Sequence, residues 1–149
     1  MGQSLAKIYL HLTFSTKDRY PFIKTEWEEK LYAYIAGILK NLNSPGLIVN
    51  GSKDHIHILF VLSKNIALAQ VVEILKKESS KWIKSQGYSK TFSWQTGYAC
   101  FSISNSEIDS TKKYIRHQIV HHQKQSFQYE LRNFLTEYNI DFNEKYIWN

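Results

Sequence analysis

A chain of 149 residues with one cysteine, Cys100, has no means of forming an intrachain disulfide, which fits a reducing compartment. Cys100 sits among apolar neighbours and reads as a small core residue, not a nucleophile. No apolar run approaches the roughly 20 residues a membrane span needs, and the N-terminus lacks a secretory leader pattern. The expectation is a cytoplasmic protein with no membrane partner. Acids are in deficit: 13 Asp and Glu against 19 Lys and Arg leave a formal charge of +6, which suits a polyanionic partner. No low-complexity segment, repeat or long linker divides the chain, so residues 1–149 read as one domain, its C-terminal helical part covering about 106–149. With 43% hydrophobic and 15% aromatic residues, the chain can bury a sizeable core.

Periodicity sets the elements. From Lys7 to Ser15, Ile8, Leu10, Leu12 and Phe14 alternate with Tyr9, His11, Thr13 and Ser15, the pattern of a half-buried strand. Thr25 and Glu28 form a capping-box pair ahead of a helix whose apolar stripe is Trp27, Leu31, Tyr34, Ile35, Ile38 and Leu42. Asn43-Ser44-Pro45-Gly46 ends it. Leu47–Asn50 and His55–Leu62 read as a hairpin around Gly51-Ser52-Lys53-Asp54. A second helix spans about Ala67–Ser85, with Lys76, Lys77, Lys81 and Lys84 on its outer side as a solvated face or a phosphate-tracking one. Tyr98–Ser104 reads as a fourth strand, Ser106 and Asp109 as a cap for a helix over about Glu107–Lys124, and Phe127–Tyr138 as a final short helix, with Tyr129, Phe134 and Leu135 available for packing. The order β-α-β-β-α-β followed by helices predicts an α+β, ferredoxin-like antiparallel sheet.

The chemistry concentrates in Asp54-His55-Ile56-His57. Residues two apart on a strand share a face, so the two imidazoles project together as half of a divalent-metal site. In a basic chain without an obvious third histidine ligand, that suggests phosphodiester chemistry. Tyr114 and Gln118, four apart in Tyr114-Ile115-Arg116-His117-Gln118, share a helical face beside a packing stripe of Ile108, Ile115, Ile119 and His122. Gln supplies a neutral oxygen for a metal shell, and Tyr a phenol nucleophile that is weak at its ordinary pKa of about 10. A cation on the scissile phosphate would raise its electrophilicity.

These stretches resemble the single-tyrosine HUH transposases, the small TnpA-type enzymes of bacterial and archaeal insertion sequences. The resemblance runs through His55-Ile56-His57, Trp94-Gln95-Thr96-Gly97-Tyr98, Phe101-Ser102-Ile103-Ser104, Tyr114-Ile115-Arg116-His117-Gln118 with His121-His122, then Phe127–Glu137 and Asn143-Glu144-Lys145-Tyr146. It implies a ferredoxin-like fold with additional C-terminal helices carrying the nucleophile, a homodimer, and Mg²⁺ or Mn²⁺ on His55 and His57 with Gln118 as a third ligand. It also implies Tyr114 as nucleophile in the cleavage of single-stranded DNA, leaving a 5′-phosphotyrosine and a free 3′-OH that later rejoins. The partners implied are DNA hairpins at the element's ends. Phosphodiester energy is conserved, so no nucleotide cofactor is needed, and no GxxxxGK[ST] motif is present.

The sequence leaves the roles of other residues open. Asp54 can orient an imidazole or end the hairpin. One of His121 and His122 can face Gln118's side of the helix while the other packs or contacts phosphate; a structural role, or one behind the ligands, suits them better, since the strand already supplies two imidazoles. Lys113 and Arg116 can hold the scissile phosphate or simply face solvent. His11 borders the site or nothing. Trp94 and Tyr98 can stack on a base, though packing suits them better. Two competing functions remain: a metal-dependent phosphodiesterase that uses water, and a domesticated, non-catalytic binder of structured single-stranded DNA.

Overall fold

The computed structural model describes residues 2–118 and 126–149. Strands β1 (Tyr9–Ser15), β2 (Gly46–Gly51), β3 (His55–Val61) and β4 (Ala99–Ile103) form one sheet in the order β2-β3-β1-β4, with every neighbouring pair antiparallel. Helices α1 (Glu28–Asn41) and α2 (Leu68–Ser85) make the two crossovers, and α3 (Ile108–Arg116) and α4 (Phe127–Glu137) follow β4. This is the ferredoxin-like order expected from the sequence.

The sheet is a divider between two packed layers. Leu10, Leu12 and Phe14 of β1 and Ile56, Ile58 and Phe60 of β3 join Leu31, Ile35 and Leu39 of α1 and Val71, Leu75 and Ile83 of α2 in the main core. Each such side chain contributes about 1.5–3 kcal/mol on leaving water. The opposite face meets a smaller cluster of Phe101, Phe127, Leu131 and Leu135 under α4. β1 is therefore buried on both faces from Leu10 to Ser15, and not half-buried as its alternation suggests. The polar residues His11 and Thr13 of that strand are buried instead of solvated, His11 with its ring against Tyr114 and Phe134 of the C-terminal helices. Ile8 precedes the strand and is 40% exposed, outside the core stripe assigned to it.

Several local expectations need correction. The N-cap of α1 is Trp27 with no side-chain bond, so Thr25 does not cap it. The helix does end where the Asn-Ser-Pro-Gly run places its end. Asn43 takes a positive φ of 52°, and the Ser44 amide bonds the Leu39 carbonyl at 2.9 Å, closing a Schellman turn. Ser106 does not cap α3; a 3₁₀ turn over Asn105–Glu107 leads into it. The helix is interrupted at His117, the C-cap of α3, and its expected continuation to Lys124 lies outside the described residues. Tyr129 is 51% exposed, whereas Leu135 is buried.

Lys76 is drawn out of the lysine face of α2, which the sequence left as solvated or phosphate-tracking. Its ammonium donates to the carbonyls of Gln95, Thr96 and Gly97 at 2.8, 3.1 and 2.6 Å, and burial lowers its pKa to about 8. Trp94 is a core residue whose indole donates to Ser79 Oγ at 2.9 Å, while Tyr98 is 41% exposed. Gln95 ties the segment to the end of β1: its Oε1 accepts from the Ser15 amide at 2.8 Å. Among the described residues, no helix is long and apolar enough to cross a membrane.

Candidate metal and nucleophile site

A tight turn delivers the imidazoles. Gly51 closes the β2–β3 hairpin so tightly that a Cβ there would lie 2.3 Å from the His55 carbonyl oxygen. The Ser52 amide bonds that oxygen at 3.0 Å. His55 and His57 then lie on the sheet face away from α1 and α2, opposite Ser15 and Thr13 of β1, and both are fully buried.

Each imidazole is oriented from behind. Asp54 accepts a hydrogen bond from His55 Nδ1 at 2.7 Å, which fixes the ring so that Nε2 carries the lone pair. His57 Nδ1 pairs with His11 Nε2 at 2.8 Å. His11 is 1% exposed, and burial, reinforced by the neighbouring His57, holds its pKa well below the usual histidine value despite Glu130 acting the other way. A neutral His11 can accept from His57 Nδ1, which puts the lone pair of His57 on Nε2. The sequence left the role of His11 open. Two residues before Thr13 on β1, it stands diagonally across the strand pair from His57, and that places it.

The C-terminal helices bring the remaining groups. Asn50 Nδ2 donates to the Ile115 carbonyl at 2.9 Å and the Arg116 carbonyl at 3.2 Å, docking the end of α3 on β2. Tyr114 then packs edge-on against His57, with ring centroids 5.9 Å apart. Gln118 is fully buried, its Oε1 lying 3.4 Å from His55 Nε2. The interrupted helix still brings the pair to the imidazoles, as their four-residue spacing predicts. Lys113 and Arg116 are exposed on α3. His121 and His122 lie outside the described residues.

Glu130 is the group that sequence reasoning missed. It is 3% exposed, and its Oε2 lies 3.8 Å from His57 Nε2 and 4.0 Å from His55 Nε2. Its Oε1 accepts a hydrogen bond from the Tyr114 hydroxyl. The available signal was its place in α4: Glu130 interrupts an apolar stripe of Phe127, Leu131, Phe134 and Leu135. An acid on a core-facing stripe needs a buried partner.

The donor set fits a divalent cation. One atom each from His55, His57 and Glu130 lie within 4.8 Å of one another, and the Gln118 oxygen flanks them. Two neutral nitrogens and one charged oxygen suit a borderline to hard ion, and the Asp54 carboxylate on His55 Nδ1 sets that ring's lone pair on Nε2. Tyr114 is held protonated: burial raises its pKa first, and the hydrogen bond to Glu130 raises it further. The phenol also borders two cavities, about 190 Å³ beside His11, Phe134 and Tyr138 and about 450 Å³ beside Ser110, Lys113 and His117.

Residues 4–118, from ahead of β1 to the buried glutamine, match the family described as Transposase IS200 like. The chain belongs to the IS200-like transposase family. Two solved structures share the fold of this IS200-like chain. A Deinococcus radiodurans R1 protein assigned as a transposase is 19% identical, with a TM-score of 0.63, covering 79% of this chain and 96% of its own. A REP-associated tyrosine transposase, solved bound to a REP hairpin, is 13% identical with a TM-score of 0.56, covering 83% of this chain and 72% of its own. A comparison with curated proteins found no match.

Proposed function

We propose that this IS200-like transposase cleaves and rejoins single-stranded DNA through Tyr114. The observation that carries the reading is the meeting, within one chain, of the Tyr114 phenol with a buried imidazole pair and two side-chain oxygens. His55, His57 and Glu130 would hold Mg²⁺ or Mn²⁺, with Gln118 as a further ligand. Such an ion supplies electrophilic polarisation of the scissile phosphate and charge neutralisation at the leaving oxygen.

In cleavage, the Tyr114 oxygen forms a bond to phosphorus, the P–O3′ bond breaks, the phenol loses its proton and the departing 3′ oxygen gains one. The product is a 5′-phosphotyrosine with a free 3′-OH. Rejoining reverses the exchange with another 3′-OH, so the number of phosphodiester bonds is unchanged and no nucleotide cofactor is required. Asp54 and His11 position the imidazoles, and the exposed Lys113 and Arg116 of α3 would meet phosphate. A structured strand is the proposed substrate, supported by the hairpin bound to the REP-associated relative and by the +6 charge. A homodimer of one-domain chains, each with a complete site, is the proposed assembly.

The test is incubation with Mn²⁺ and labelled single-stranded hairpin DNA from the regions flanking the protein's own gene, followed by a denaturing gel. The reading predicts a denaturant-resistant protein–DNA adduct, lost in Tyr114→Phe. Cleaved DNA without an adduct would replace it with the water-using phosphodiesterase. Tight binding without cleavage would replace it with the domesticated binder.

A further inference from the structure

We infer that Glu130 couples the cation site to the nucleophile, so that filling the one loosens its grip on the other; this rests on the roles of Tyr114 and the imidazole pair given above. The observation is a single carboxylate facing two ways. Oε1 accepts the Tyr114 hydroxyl, while Oε2 faces both imidazole Nε2 atoms at 3.8 and 4.0 Å. At 3% exposure the group cannot turn to water to satisfy either side. Its backbone is fixed as well, because Ser126 caps α4 one turn earlier by accepting from the Tyr129 amide at 3.2 Å.

A carboxylate carries one negative charge over its two oxygens. Electron density drawn toward a cation beside the imidazoles is withdrawn from the hydrogen bond to the phenol. Conversely, the hydrogen bond to the phenol makes the carboxylate a poorer ligand. Linkage requires the two effects to be equal in size. The consequence is a nucleophile held by Glu130 while the cation site is empty and released toward the phosphate as the site fills. The Tyr114 hydroxyl is thereby kept from attacking a strand before the groups that stabilise the leaving oxygen are in place.

The experiment uses Mn²⁺ alone as the probe, titrated into the whole protein without DNA and followed by electron paramagnetic resonance. Tyr114→Phe, which removes the competing hydroxyl, should bind Mn²⁺ on the order of tenfold more tightly than the parent. Glu130→Gln should bind more weakly, and adding Tyr114→Phe to it should give no gain. An unchanged or weaker Mn²⁺ affinity in Tyr114→Phe overturns the inference, and that comparison stands even if Glu130→Gln fails to fold. Failure here is separable from failure of the functional reading. An adduct without Mn²⁺ coupling sinks only the Glu130 link, and coupling without an adduct sinks only the tyrosine chemistry.

Discussion

At Gly51 one methyl group decides whether the turn before His55 can close. A Cβ would meet the His55 carbonyl oxygen at 2.3 Å and the Ile56 Cα at 2.9 Å, both backbone atoms that cannot step aside. Gly51→Ala should therefore cost about 2 kcal/mol or more in a chemical denaturation and weaken Mn²⁺ binding with it, because the displaced carbonyl belongs to a proposed ligand. Equal stability and equal Mn²⁺ affinity would show that the turn does not set the site. Cys100 offers a second check at this scale. Burial pushes its thiol up to about 12, so at pH 8 almost no thiolate is present. Alkylation by iodoacetamide should be slow in the native protein and fast after unfolding; a fast native reaction would contradict the packing of β4. Histidines 55 and 57 were legible from two-residue spacing alone, since that spacing puts both on one strand face. Glu130 was not, because its partners are 75 and 73 residues distant in sequence and only the return of α4 over the sheet unites them.

Among the elements, α4 is what completes the site. Ser126 caps it, its side chain accepting from the Tyr129 amide. Ser126→Ala should lower stability by about 1 kcal/mol, read as a melting point about 3 °C lower, and Ser126→Asp should restore it. A melting point unmoved by the alanine would mean the cap does not hold the helix that carries Glu130. The alternation in β1 and the hairpin signal around Gly51-Ser52-Lys53-Asp54 were enough to give the sheet. What alternation could not give was the second layer. His11 and Thr13 read as solvent-facing because nothing local announces that α3 and α4 return to cover them. Lys76 misled for a related reason: on its helix it belongs to a lysine face, and only the tertiary approach of Gln95–Gly97 supplies the three carbonyls that draw it in. Thr25 was a sound capping residue by type, but the chain enters α1 through Trp27, which the core claims at 4% exposure.

For the molecule as a whole, both halves of the site come from one chain. Tyr114 lies against the chain's own His57, so each protomer of the proposed dimer should hold a complete site. Mixing Tyr114→Phe protein with His57→Ala protein should then restore no adduct, since every protomer lacks one half. Recovery of adduct in the mixture would place the tyrosine of one subunit in the site of the other. The most direct measurement of the central claim is mass spectrometry of the protein after reaction with single-stranded DNA and Mn²⁺, nuclease trimming and trypsin digestion. Cleavage after Lys113 and Arg116 isolates Tyr114-Ile115-Arg116. The account predicts this tripeptide with a nucleotide joined through its 5′ phosphate to the Tyr114 oxygen. A nucleotide on any other residue, or cleaved DNA with the tripeptide unmodified, would contradict it.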